Sequence, residues 1–131
     1  YYNTTVSFNL THIFINMELV INNNLFNVKV VMTRKDIERG MMKKKFNKDF
    51  NGMLFLMDDK EHSFWMKNCI TSLDIIFIKN NKITKIHKEC KPCKTEDCER
   101  YSGKGDMILE INGGDCDKYD IVVGDKIIFE G

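Results

Sequence analysis

Residues 73–87 read LDIIFIKNNKITKIH. Leu73 to Ile78 is a run of apolar, largely β-branched and aromatic residues. Asn80-Asn81 supplies the positive-φ chemistry of a tight turn, and Lys82 to His87 returns as a second strand. The same logic applies upstream. Leu19 to Ile21 and Phe26 to Val31 are strand-forming runs on either side of Asn22-Asn23-Asn24, so a second hairpin is expected there. Asn51-Gly52 turns the chain into Met53-Leu54-Phe55-Leu56-Met57, a continuous apolar run suited to a strand buried on both faces.

The rest of the chain fills in around these pieces. Thr33-Arg34-Lys35-Asp36 has the form of a capping box with Asp in place of Glu, which predicts a helix from Thr33 to Met42 with Ile37 and Met41 on one face. Asp58 to His62 reads as a charged turn. Phe64 to Asn68 reads as a strand with Phe64 and Met66 opposite Trp65 and Lys67. Residues 88–105 read as a polar, Cys-rich, irregular segment. Met107 to Ile111 is a further strand that breaks at Asn112-Gly113-Gly114, and Gly124-Asp125 turns into a last strand, Lys126 to Phe129. With about seven or eight short strands and one or two short helices, the chain is expected to be α+β and β-rich, a compact twisted or partly closed antiparallel sheet or barrel.

Composition sets limits. A chain of 131 residues fits one domain, and 43% hydrophobic residues suffice for one core. Residues 17–131 are read as that domain, because Met17 opens a natural-looking start. Residues 1–16 are read as an extension or remnant, with Val6, Phe8 and Leu10 alternating as in a strand. A net charge of +1 gives no reason to expect nucleic acid as a partner. Lys43-Lys44-Lys45 is read as a solvated face. No stretch approaches the ~20 apolar residues of a membrane span. The first residues lack the pattern of a secretory signal, so a soluble protein is expected and a cytoplasmic location favoured.

Two carboxylates stand inside apolar strands, Asp74 within LDIIF and Glu110 within MILEI. A carboxylate buried there must be paired or hydrogen-bonded. Arg39 is the candidate cation, and Asn68, His62 and Lys67 are candidate hydrogen-bonding partners. One reading makes these purely structural contacts. The other gathers Arg39, Trp65, Asn68, Asp74 and Glu110 around a pocket for a small polar or carbohydrate-like ligand, with Trp65 as the stacking surface. A carboxylate-based hydrolase using Asp74 and Glu110 is a further alternative, and a structural or protein-interaction module without a small-molecule site is another. A Cys69–His62 nucleophile is a weaker arrangement than Cys69 as a small core residue. No P-loop, nucleophile elbow or paired-His metalloprotease motif is present, so a non-enzymatic role is favoured and no catalytic residue is assigned. Met41, Met42, Met53, Met57 and Met66 lie in apolar segments and read as core filling rather than a copper site.

The segment from His87 to Tyr101 holds His87, Cys90, Cys93 and Cys98 within twelve residues. These four soft ligands could close around one zinc ion, the one cofactor the sequence suggests. A disulfide or reduced thiols are the alternatives, and five cysteines leave at least one unpaired in any intramolecular scheme.

Five segments resemble, in order and approximate spacing, the uncharacterised family called domain of unknown function 192. They are Arg39-Gly40-Met41-Met42, Gly52-Met53-Leu54-Phe55, Phe64-Trp65-Met66-Lys67-Asn68, Leu73 to Ile78, and Leu109-Glu110-Ile111-Asn112-Gly113-Gly114. The resemblance spans roughly residues 26–129 and implies a compact β-rich fold and no particular reaction. Family members often follow a secretory or lipoprotein signal, which this sequence does not display. Cys93, Cys98 and Tyr101 match the family's pattern, which makes Cys93–Cys98 the first candidate for a disulfide. Cys69, where the family usually has Thr, and the extra Cys90 depart from it.

Overall fold

A computed structural model describes residues 15–130. The extension read over residues 1–16, with its Val6-Phe8-Leu10 alternation, lies outside the described residues as far as position 14. The first strand already begins at Ile15.

Seven strands form one sheet: β1 (Ile15–Ile21), β2 (Asn24–Val31), β3 (Gly52–Trp65), β4 (Leu73–Lys79), β5 (Lys82–Cys90), β6 (Arg100–Asn112) and β7 (Ile127–Glu130). Their spatial order is β5-β4-β6-β3-β2-β1-β7. Every hydrogen-bonded pair is antiparallel except β2–β3, which is parallel. The two Asn-built hairpins form as read, with Asn22, Asn23, Asn80 and Asn81 all at positive φ. The sheet curls until its two edge strands meet. Lys82 bridges to Lys126, Ile83 and Asp125 share a backbone hydrogen bond, and Ile127 donates to the Asn81 carbonyl.

Curling gives the sheet an inside and an outside, and strand alternation sorts the side chains between them. Leu19, Phe26, Val28, Leu54, Ile76, Leu109 and Ile111 pack together inside the half-barrel. Val31, Met53, Phe55, Ile75, Phe77 and Ile108 form a second core on the outer face. Because β2 and β3 run parallel, the chain between them must cross back over the sheet. That crossover, residues 32–51, covers part of the outer core and carries α1 (Arg34–Arg39).

Thr33 caps α1 by accepting from the Asp36 N–H at 3.2 Å. The helix stops at Arg39, short of the expected Met42, because Gly40 takes a positive φ of 46°. Ile37 and Met41 nevertheless both reach the outer core. A second helix, α2 (Asp115–Lys118), follows β6.

Three readings of local structure are corrected. Asp58 to His62 is no turn: β3 runs through it, with a register shift between Leu56 and Lys60 after which pairing with β6 resumes, and the charges of Asp58 to Glu61 are exposed. Phe64 to Asn68 is not a separate strand; Phe64 and Trp65 end β3, and Lys67 makes only an isolated bridge to Cys93. The segment 88–105 is largely ordered, since β5 extends to Cys90 and β6 begins at Arg100.

β6 lies centrally, between β4 and β3, and bends strongly. Gly103 and Gly105 make this possible. A Cβ on Gly103 would sit 2.5 Å from the Phe77 ring, and one on Gly105 2.3 Å from the Ile78 carbonyl oxygen. Only the absence of a side chain lets the β6 backbone press this closely onto β4.

Candidate functional site

The two embedded carboxylates are on neighbouring strands but on opposite faces. Asp74 is in register with Ile111, and Glu110 with Ile75. Asp74 therefore shares the inner face and Glu110 the outer one. They do not flank a common substrate site, which removes the arrangement that an Asp74–Glu110 hydrolase requires.

Asp74 is fully buried and fully engaged. Its Oδ1 accepts from the Glu89 N–H at 2.8 Å and the Gly114 N–H at 3.1 Å, and its Oδ2 accepts from the Cys116 N–H at 2.8 Å. Glu89, at positive φ, turns its amide out of the β5 ladder toward this carboxylate. Gly114 provides α2 with no side-chain cap, and Asp74 reaches across from β4 to satisfy amides at that helix start. This is a structural clamp of β4, β5 and α2, made with backbone groups and not with Arg39.

Glu110 is the opposite case. It is 3% exposed, and its buried Oε1 has no hydrogen-bond partner among the described residues. Burial pushes its carboxyl up to about 8, so the group is largely protonated at neutral pH. It lines an open cleft of about 440 Å³. One side of the cleft comes from α1 and the following turn, residues 37–42. Phe55, Met57 and residues 62–65 of β3 form another, Cys69 lies near Glu110, and Arg100 comes from the start of β6. A straight strand would hold Arg100 and Glu110 ~33 Å apart. They share one cleft because β3 and β6 fold over together, through the irregularity after Leu56 and the glycines of β6.

Of the residues read from sequence as a pocket, Arg39, Trp65 and Glu110 line this cleft, while Asn68 and Asp74 do not. Asn68 serves the turn after β3. It takes a φ of 61°, donates its N–H to the Cys93 carbonyl at 2.8 Å and accepts from the Lys43 N–H at 2.8 Å. Lys67 pairs with Glu96 and not with either embedded carboxylate. Two cations approach the Trp65 ring: the Arg100 guanidinium lies over it at 4.1 Å, and the Lys67 ammonium is 5.1 Å from the ring centre. Cys69 and His62 both border the cleft, but burial first and Glu110 second push the Cys69 thiol up to about 12, the reverse of what an activated nucleophile needs. The His62 Nε2 lies 2.6 Å from the Asp58 carbonyl oxygen, inside the bend of β3.

The model of DUF192, a family described as an uncharacterized ACR, matches residues 17–129. The chain belongs to the DUF192 family. A solved structure from Novosphingobium aromaticivorans, of a protein of unknown function, is similar to this DUF192 domain with a TM-score of 0.75 and 27% identity, over 86% of this chain and 84% of that one. Another, from Sinorhizobium meliloti and proposed to be a transcription regulator, has a TM-score of 0.76 and 22% identity, over 88% of this chain and 95% of that one. The second likeness concerns the fold alone. No curated protein matches the chain. No helix among the described residues is long and apolar enough to cross a membrane.

In this DUF192 domain the cysteine loop is closed by a disulfide, Cys93–Cys98. The proposed zinc set is not brought together. Two of its sulfurs are bonded to each other, Cys90 is buried opposite Leu73, and the His87 ring is held at 2.8 Å from the Ser102 carbonyl oxygen between Phe77 and Tyr101. Among the described residues no group of three or more His, Cys, Asp or Glu side chains is placed to hold a metal. The loop instead steadies the segment that follows Trp65, because the Cys93 N–H donates to the Met66 carbonyl at 3.2 Å.

Arg100 is a cleft residue that sequence reading missed. It sits in register with Trp65 across the β3–β6 ladder. The signal that could have found it was the pairing of those two strands, which Ser102-Gly103-Lys104-Gly105 disguised as a loop.

Proposed function

We propose that this domain binds a small molecule in the cleft over the outer core, and that Glu110 is the polar group at its centre. The carrying observation is a buried carboxyl with an unpartnered oxygen on a residue that lines the cleft. An unsatisfied buried oxygen costs on the order of 1–3 kcal/mol, and a ligand hydroxyl, amide or acid group placed there would recover it. Aromatic and thioether side chains supply the apolar surface that small-molecule sites use, and a few polar groups fix orientation. Asp74 takes no part in this reading, and no catalytic role is assigned.

The test is a thermal-shift screen of small polar compounds against the intact chain, including sugars, organic acids, amino acids and nucleosides. Compounds that raise the melting temperature are expected to lose that effect in Met57→Trp, which fills the cleft. Stabilisation that persists undiminished in a folded Met57→Trp protein would place the site elsewhere.

One observation favours a second reading, a protein-interaction surface. Leu25 and Ile128, each about half exposed, flank Val20 in register across β2, β1 and β7. Concentration-dependent dimerisation in sedimentation, abolished by Ile128→Lys, would support that reading.

A further inference from the structure

The charges around the cleft point to its ligand class, given that the cleft is a ligand site as proposed above. Among the described residues six titratable side chains border it: Glu38 and Arg39 from α1, His62 from β3, Cys69, and Arg100 and Glu110 from β6. Neither arginine forms an ion pair with a carboxylate among the described residues. Arg100 is instead held over the Trp65 ring, 4.1 Å from its centre, where it keeps its charge and its outward donors. The buried carboxyl of Glu110 contributes no full negative charge below about pH 8. Glu38, exposed on the rim, is then the one carboxylate among the described residues that borders the cleft against two guanidinium groups.

We infer that the cleft selects a small organic anion, its negative group held by Arg39 and Arg100 and its apolar body against Phe55, Met57 and Phe64. A guanidinium presents paired donors that match a carboxylate, sulfonate or phosphate oxygen pair. Phe55 and Phe64 meet edge to face at 5.1 Å and provide the apolar wall. Glu110, as a neutral acid, donates a hydrogen bond from the floor to the ligand. When it ionises it repels the same ligand, so binding is expected to weaken as pH rises through about 8. His62 borders the cleft as well. Ionisation of Cys69, pushed up to about 12, falls above this window.

Trp65 is the chain's one tryptophan, so its fluorescence reports on the cleft directly. The experiment titrates the full chain at pH 7 with three probes of one shape and different charge: benzoate, benzyl alcohol and benzylamine. Benzoate is expected to bind most tightly and benzylamine least. Arg39→Gln and Arg100→Gln are each expected to weaken benzoate about fivefold, roughly what one partly screened charge supplies, and to leave benzyl alcohol unchanged. Glu110→Gln is expected to abolish the loss of benzoate affinity between pH 7 and pH 9. Equal binding of all three probes, or a preference for benzylamine, would overturn the anion inference while leaving the cleft a ligand site. Benzoate binding indifferent to both arginine substitutions would overturn it too. No response to any probe up to millimolar concentration would count against the ligand-site reading itself.

Discussion

Asp74 and Glu110 present a controlled comparison. Both are carboxylates, both interrupt apolar runs, both are buried, and they sit on adjacent strands one register position apart. Asp74 faces the inside of the half-barrel and receives three backbone N–H groups. Glu110 faces outward and has an oxygen with none. Burial alone therefore does not separate an acid held by backbone donors from one left unsatisfied; the inventory of donors around it does.

The comparison breaks most visibly at Asp74. Asp74→Ala would leave three amides without their acceptor, and a loss on the order of 4 kcal/mol is expected in urea denaturation, or no folded protein at all. Asp74→Asn, which keeps one acceptor oxygen, should recover about half of that loss. An Asp74→Ala protein of undiminished stability would show that the clamp is dispensable.

Gly105→Ala tests the bend that brings Arg100 into the same cleft as Glu110. Its Cβ would meet the Ile78 carbonyl, and β6 would have to lift off β4. A destabilisation of roughly 2–3 kcal/mol is expected, together with a change in Trp65 fluorescence as the Arg100 end of the strand shifts. An unchanged emission spectrum would mean that the bend survives without the glycine.

Glu110 gives a smaller effect with a definite sign. Its folded-state value of about 8 lies above its ordinary 4.5. Between those values the folded protein retains a proton that the unfolded chain has released. Stability is then full below about pH 4.5 and falls as pH rises through about 8, by at most about 1.4 kcal/mol per pH unit. Glu110→Gln should flatten this limb in denaturation curves taken from pH 5 to pH 9, whereas Asp74→Asn should leave the limb in place. A limb that persists in Glu110→Gln would assign the proton to another group.

The smallest expected effect is at Arg39. This side chain is exposed, and Arg39→Gln should change stability by no more than about 0.5 kcal/mol. A larger loss would mean that Arg39 holds the crossover in place, and its role in the cleft would become structural.

Much of this organisation was legible in the sequence. The Asn-built hairpins, the apolar run of β3, the Thr33 cap and the embedded carboxylates all follow local rules of turn chemistry and periodicity. What stayed hidden was written in tertiary terms. Asp58 to His62 looked like a turn because four charged residues, Asp58 to Glu61, stand in a row and are exposed, although β3 continues through them. Residues 102–105 looked like a loop because two glycines interrupt the pattern, although close approach to Phe77 and Ile78 demands them. Asp74 and Glu110 looked alike because the sequence does not show what faces them. Opposite faces follow only once the β4–β6 register is known.

The parallel pairing of β2 with β3 has one more consequence. An antiparallel neighbour could have been joined by a short hairpin, but a parallel one requires a long return path, and this path supplies one side of the cleft. Residues 32–51 border the cleft from the outer surface and lie outside the inner core, but Met41 and Phe50 are buried members of the outer one. The chain that borders the cleft is thus also part of the second core, so a change that reshapes the cleft here would be felt in the packing of the outer face as well.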